Sequence, residues 1–328
     1  MAVILFFAGL LAVTTSLYVL LDGFDLGVGI LFAFADEPHR RKMLSAISPV
    51  WDGNETWLVV TGTILFGAFP AAYAALLSAF YLPLVLMLCA LILRGVAFEF
   101  RYKSLGFRWF WDLGFAGGSF VAAFVQGMTI GALVEGLPME NGHYVGGTLG
   151  WLTPFALLCG AGLVLGYSLL GASWLVRKCE DPIRQIAYRI LPALTIGVLA
   201  FLACAFAASL VMHLELMQRW LERPYLLVFP LVGAVATWGL FGSIKQRDDR
   251  GPFRFSALIF MAAFCTLAGS FWPYMIPFAL TVEQAASPPS SLAFMFWGAG
   301  LFVMPLTLIY TAVVYRLFRG KVVEGHYE

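Results

Sequence analysis

The sequence predicts an all-α, polytopic transmembrane helical bundle of about nine helices, with its N-terminus outside and its C-terminus cytoplasmic. Three observations predict it. Of 328 residues, 61% are hydrophobic and 12% charged, with a mean hydropathy of +0.86, whereas soluble domains carry about 45–50% apolar and about 25% charged residues. Nine runs approach the roughly 20 apolar residues that cross about 30 Å of hydrocarbon. The loops between them alternate between basic and nearly uncharged, as loops on opposite sides of a bilayer do. The lipid bilayer is therefore the first partner implied, and a net charge of +1 gives no case for nucleic acid.

The nine segments run over 3–34, 55–75, 78–98, 110–134, 151–176, 188–212, 224–243, 255–280 and 292–318. The first starts at Ala2 without a basic leader and continues past a signal-peptide core, so it reads as a retained helix, tilted or projecting because of its length. Segments within 1–134 form a first four-helix unit, those within 151–280 a second, and 292–318 a final helix, all in one transmembrane domain. Basic loops hold Arg40, Arg41 and Lys42; Arg101, Lys103 and Arg108; Arg177, Lys178 and Arg184; and Lys245, Arg247, Arg250 and Arg254, with Arg316, Arg319 and Lys321 at the C-terminus. The intervening loops hold only Arg219 and Arg223, which fixes the orientation and an odd number of spans. No loop exceeds about 20 residues, so no soluble catalytic domain fits between helices. Cys89, Cys159, Cys204 and Cys265 lie in apolar runs and Cys179 in a loop, without metal-ligand spacing, and read as small core residues.

Ionisable groups inside hydrocarbon are expensive, at about 2.5–3.5 kcal/mol each on insertion scales, and usually face a partner or a water path. Here they cluster early. Asp22 and Asp25 are three residues apart on one helical face. Two carboxylates that close do not both ionise readily, which suits one of them to take up and release a proton; a structural hydrogen-bonded pair is the alternative. Gly23 and Gly27 beside them form a small-xxx-small stripe that lets another backbone approach and satisfy the aspartates. Trp51, Asp52, Asn54, Glu55 and Trp57 open the second segment. Asp52 fits a helix N-cap and the tryptophans fit interfacial anchors, but a cap does not explain Asp52, Asn54 and Glu55 together, and a polar entry site does. Arg94 near the end of the third segment either snorkels to the surface or pairs with Glu99 and the other acids, with Arg101 following. Asp112 opens the fourth segment as a further cap. All these groups lean toward the cytoplasmic half of one unit. Later segments carry Ser, Thr, Tyr and bending prolines such as Pro273 and Pro277, read as packing and kinks. His39, His143 and His326 fall in loops or the tail and His213 at an outer helix end, so no mid-span histidine offers a haem ligand. The residues imply a chain that binds no haem, other cofactor or metal directly.

Three stretches carry a resemblance: Asp22-Gly-Phe-Asp-Leu-Gly-Val-Gly29, Trp51-Asp-Gly-Asn-Glu-Thr-Trp57 and Arg94-Gly-Val-Ala-Phe-Glu-Phe-Arg101. The chain resembles subunit II of cytochrome bd-type quinol oxidases. The match is most specific in the first third and weaker after residue 120, with Trp111-Asp112 and Leu308-Ile-Tyr-Thr-Ala312 continuing it. The resemblance implies a bacterial inner-membrane heterodimer that oxidises quinol and reduces dioxygen to water with protons taken from the cytoplasm, without pumping. It places haems b558, b595 and d and the quinol-binding loop in a pseudo-symmetric subunit I, and allows small accessory subunits. Carried over by motif, Asp22, Asp25 and Asp52 line a proton route, with Glu55 at its entry and Arg94 and Glu99 in support. About ten residues separate the sixth and seventh segments, where some family members have a longer hydrophilic insertion; the short form is similar to cyanide-insensitive members.

Without the resemblance, paired intramembrane carboxylates beside glycines would equally suit a proton-coupled transporter. A purely structural oxidase subunit, whose carboxylates only maintain packing, is the third reading.

Overall fold

Apolar runs of this length satisfy their backbone hydrogen bonds within the segment when they coil into helices, as lipid requires. The structure, a computed structural model, describes residues 1–104, 106–140, 142–212 and 219–322; His213 and His326 lie outside them. Helices α1 (Ala2–Phe32), α3 (Trp51–Ala68), α4 (Pro70–Lys103), α5 (Arg108–Glu135), α6 (Pro154–Lys178), α7 (Ile183–Met212), α8 (Val228–Gln246, after a 3-10 turn from Pro224) and α9 (Gly251–Phe271) form the bundle. An amphipathic α2 (Glu37–Ile47) lies in the first loop, and short α10 (Val282–Ala285) and α11 (Pro289–Met295) precede α12 (Val303–Leu317). Two two-stranded hairpins, Met139–Glu140 with His143–Tyr144 and Tyr274–Ile276 with Leu280–Thr281, decorate the loops of this otherwise helical fold.

Seven helices are long and apolar enough to cross a membrane among the described residues, and an eighth candidate is the bent pair Pro289–Gly298 and Val303–Leu317. The 18-residue α3 is not among them, because Asp52, Asn54 and Glu55 make its first turns polar.

Several boundaries depart from the sequence reading, each for a local reason. The segment placed at 55–75 is broken at Phe69, because Pro70 has no N–H to continue one helix and instead opens the next. That next helix has 34 residues, about 51 Å at 1.5 Å each, and leaves helical geometry at Phe80, three residues before Pro83. Pro273 and Pro277 do not bend a helix: α9 ends at Phe271, and both prolines lie in the hairpin beyond it. The final segment is not one helix either. It bends by 43° across a π-type turn at Phe296–Gly300, where Gly298 and Gly300 weaken the helix and Pro305 withholds an N–H.

Two glycines set how closely the bundle packs. A Cβ on Gly27 would stand 1.7 Å from the Tyr167 carbonyl oxygen, and one on Gly171 would stand 2.4 Å from the Gly27 carbonyl carbon, so α1 and α6 touch backbone to backbone. The small-residue stripe therefore does bring in a second backbone, although that backbone does not satisfy the aspartates. Among the cysteines, Cys159 and Cys179 are buried, but Cys89 and Cys204 face outward and are not core residues.

Contacts gather the basic loops at one end. Arg40 and Arg101 join the first loop to the third, Trp174 Nε1 donates to the Ala46 carbonyl, Arg184 binds Asp249, and Val322 N donates to the Lys178 carbonyl. At the opposite end, Ser287 N and Oγ donate to the carbonyls of Ala68 and Gly67.

Candidate functional site

The early polar residues divide into two sites. The deeper one is built on α1, whose residues 22–30 are all buried. Asp22 and Asp25 are fully buried, and Arg94 and Asn54 are each 1% exposed. Arg94 reaches from α4 to place Nη1 3.0 Å from Asp22 Oδ1. Asn54 reaches from α3 and donates through Nδ2 to Asp25 Oδ2 at 2.7 Å and to the Leu21 carbonyl at 3.2 Å. Its Oδ1 accepts from the Tyr315 hydroxyl of α12 at 2.8 Å. Asp22 Oδ2, Asp25 Oδ1 and Arg94 Nε and Nη2 are buried without a hydrogen-bond partner among the described residues.

The charge count matters most here. Two carboxylates face one guanidinium, so the set is neutral only when it holds one proton, and a net charge inside the bundle is what the low-dielectric interior resists. Glu55, half-buried on α3, interacts electrostatically with Arg94, Asp22 and the exposed Asp52. Asp52, Glu55 and the buried pair thus form a graded series from surface to interior.

Further polar groups that the sequence reading passed over extend this cluster. Tyr18, one turn before Asp22, interacts with that carboxylate. Gln126 Nε2 of α5 donates to the Tyr18 hydroxyl at 2.7 Å, and the Tyr167 hydroxyl of α6 donates to Gln126 Oε1 at 2.8 Å. Gln126 had a usable signal, an amide within an apolar 28-residue helix. Tyr315 had none, because tyrosine is common wherever a helix meets an interface.

The second site is a clamp at the basic end. Arg101, 3% exposed, forks onto Asp112 Oδ1 and, at 2.6 Å, onto Glu37 Oε2. Arg40 Nη1 binds Asp112 Oδ2 at 2.9 Å, while its Nε and Nη2 donate to the carbonyls of Phe32 and Ala33 at 3.3 and 3.4 Å. Both guanidinium groups lie over the Phe32 ring, at 5.2 and 5.4 Å. The clamp adds side-chain donors at the end of α1, where the Phe32 carbonyl already accepts from Ala35 N and the Ala33 carbonyl takes Arg40 Nη2.

Several expected roles change. Asp52 is not an N-cap; Val50 holds that position and Asp52 sits in the first turn, where a carboxylate still suits the helix dipole. Asp112 is not a cap either, being a buried partner of two arginines inside α5. Arg94 does not snorkel, and it pairs with Asp22, not with the exposed Glu99. Five residues of helix turn Glu99 about 140° away from Arg94, so one face cannot hold both. Trp57 is fully buried, no interfacial anchor, and Trp51 packs against Phe98 with centroids 4.9 Å apart.

Two surface grooves, of about 360 Å³ along Phe100, Lys103, Phe107 and Trp111 and about 520 Å³ along Val235, Trp238 and Phe255, are lined by none of the buried carboxylates. The described histidines do not suit a mid-span haem ligand: His39 pairs with Asp36 at the start of α2, and His143 is exposed in a hairpin. No group of three or more metal-ligating side chains occurs among the described residues.

A bundle of this kind, many apolar helices enclosing a packed ion-pair cluster, defines a polytopic membrane protein. Its fold is shared with a chain of the bd oxidase structure from Geobacillus thermodenitrificans, at a TM-score of 0.78 and 18% identity, over 97% of this chain and 99% of that one. The chain belongs to the family of cytochrome bd terminal oxidase subunit II, which matches residues 3–318. Relatives include a probable cytochrome oxidase subunit 2 of Haemophilus influenzae, 33% identical across 92% of this chain and 90% of that one. Another is the cytochrome bd-I ubiquinol oxidase subunit 2 of Escherichia coli K12, 31% identical across 94% and 92%. Family membership removes the transporter reading.

Proposed function

We propose that this chain, as subunit II of a quinol-oxidising, dioxygen-reducing terminal oxidase complex, supplies protons to the reaction through Asp25, with Glu55 and Asp52 leading to it. One observation carries the reading: two fully buried carboxylates share a single arginine. Asp22, held by Arg94, anchors the cluster, and Asp25, bound only by an amide, is the exchangeable group.

The rest of the proposal follows the charge pattern. The end that gathers the basic loops is read as cytoplasmic and the N-terminus as outside, with α3 and the bent last pair completing nine spans; the bacterial relatives support an inner-membrane location. The partner is a subunit I that carries the haems and the quinol site; the surface positions of His39 and His143 support this division. When bound in the complex, the haems supply electron transfer to dioxygen. This chain's residues hold the proton in reach, Asp52 meeting water at the surface and Glu55 passing charge inward to the buried pair.

The test is Asp25→Asn in the assembled oxidase, with Glu55→Gln and Asp52→Asn beside it. Oxygen consumption is expected to fall about a hundredfold or more in Asp25→Asn, the range for a lost proton-transfer group, while the haem spectrum stays unchanged. Normal oxygen consumption in Asp25→Asn refutes the route. Loss of haem and complex in all three, without a selective kinetic defect, supports the structural role instead.

A further inference from the structure

Asn54 touches three groups, and their chemistry leaves its amide one orientation. The Leu21 carbonyl can only accept, so the atom 3.2 Å from it must be Nδ2. The same nitrogen stands 2.7 Å from Asp25 Oδ2, so Asp25 accepts there through an oxygen that carries no hydrogen. The remaining amide atom, Oδ1, faces the Tyr315 hydroxyl at 2.8 Å, and Tyr315 must donate. Both amide hydrogens and the facing carbonyl lone pair are thereby used.

We propose that Tyr315 is a positioning residue for proton transfer: its hydroxyl, together with the Leu21 carbonyl, holds the Asn54 amide so that the exchangeable proton of Asp25 resides on Oδ1 alone. This rests on the reading of Asp25 as the exchangeable group. Oδ1 is the carboxylate oxygen with no hydrogen-bond partner among the described residues, and is therefore free to bind a hydrogen. The charged groups acting on Asp25 are Arg94, Asp22 and Glu55, from α4, α1 and α3. The last helix contributes the uncharged Tyr315.

The amide also excludes Tyr315 from the route itself. An amide nitrogen has no lone pair to receive a proton, and transfer from Oδ1 to Nδ2 would require an imidic acid while both N–H groups stay engaged. Protons thus reach Asp25 from the Glu55 side, and Tyr315 acts only through Asn54. Its ring packs edge-on to Trp174 with centroids 6.1 Å apart, which keeps the hydroxyl aimed.

The experiment is infrared difference spectroscopy of the intact oxidase on reduction, comparing wild type, Asp25→Asn and Tyr315→Phe, with turnover and haem content measured on the same samples. A carboxylic C=O band that vanishes in Asp25→Asn identifies the residue. In Tyr315→Phe, which keeps the ring, Asn54 Oδ1 loses its donor and the amide is held only by Leu21 and Asp25, so its hydrogen bond to Oδ2 loosens and that band is expected at higher frequency. Turnover is expected to fall about two- to tenfold, the effect of one hydrogen bond, with haem content unchanged. Should Tyr315→Phe fail to assemble, Asn54→Leu removes the same donor and is expected to move the band the same way. An Asp25 band that stays in place in either variant overturns the positioning role and leaves the proton-carrying reading standing. No band sensitive to Asp25→Asn, together with normal turnover in that variant, overturns both.

Discussion

Replacing Arg94 by glutamine probes the buried cluster most directly. Arg94 and Asp22 are almost completely buried and 3.0 Å apart, where Coulomb attraction at an effective dielectric constant of 20 amounts to about 5.5 kcal/mol. Removing one partner of such a pair leaves an uncompensated charge and typically costs about 3–5 kcal/mol. The two partners are not equivalent. In Arg94→Gln, Asp22 and Asp25 lose their shared cation, whereas in Asp22→Asn the arginine keeps Asp25 and Glu55 as counter-charges. Asp22→Asn is therefore expected to cost only about 1–3 kcal/mol. The double variant, with two amides in place of the ion pair, is expected to be more stable than Arg94→Gln alone. Equilibrium unfolding of the purified complex in mixed micelles, followed by retention of the haem spectrum, measures all four corners of the cycle. Effects that add to within about 0.5 kcal/mol, or an Arg94→Gln no worse than Asp22→Asn, would show that the pair is not what holds the cluster.

Other outcomes follow from the same geometry. Gly27→Ala places a methyl group 1.7 Å from the Tyr167 carbonyl oxygen and is expected to abolish assembly, while Gly9→Ala, with nothing within 4 Å, leaves the yield of haem-bearing complex unchanged. Arg101→Lys gives up the fork between Glu37 and Asp112 and is expected to lower thermal stability by about 2–4 kcal/mol without slowing turnover per haem, which separates the clamp from the proposed proton route. At the basic end, burial pushes the Asp249 carboxyl up, but hydrogen bonds from Lys321 and Arg184 outweigh it and hold the group below its usual range. A carboxyl depressed in the folded state adds stability above its unfolded value of about 3.9 and loses it as pH falls through the lower folded value. A spin label at Val322 should accordingly become more mobile in that acid window and be mobile at neutral pH in Asp249→Asn. The contribution is about 1 kcal/mol or less, since the pair is partly exposed.

The mistaken pairings show where sequence reasoning stops. Asp22 and Asp25, three residues apart, were legible as one face, and the structure keeps them on one face. Their partners were not legible, because Arg94 is 72 residues from Asp22, Asn54 is 29 from Asp25 and Tyr315 is 261 from Asn54. Asp112 and Arg101 were read as part of the same polar cluster, but the structure gives them to the clamp that finishes α1. Nearness in sequence suggested Glu99 for Arg94, although helical periodicity already argued against it.

By itself, then, the sequence determined the membrane, the helical class and the grouping of basic loops, and it marked the buried acids. Each of these depends on a local quantity: the transfer free energy of a run of side chains, the backbone's need for hydrogen bonds in hydrocarbon, or the charge of a short loop. Only the tertiary structure decided which acid is paired with a guanidinium and which is left to an amide. That choice depends on which helices cross at which height, and the crossings are set by backbone contacts such as Gly27 on Gly171. Burial makes the decision matter, because an unpaired charge that water would screen at the surface has to find its one partner inside the bundle.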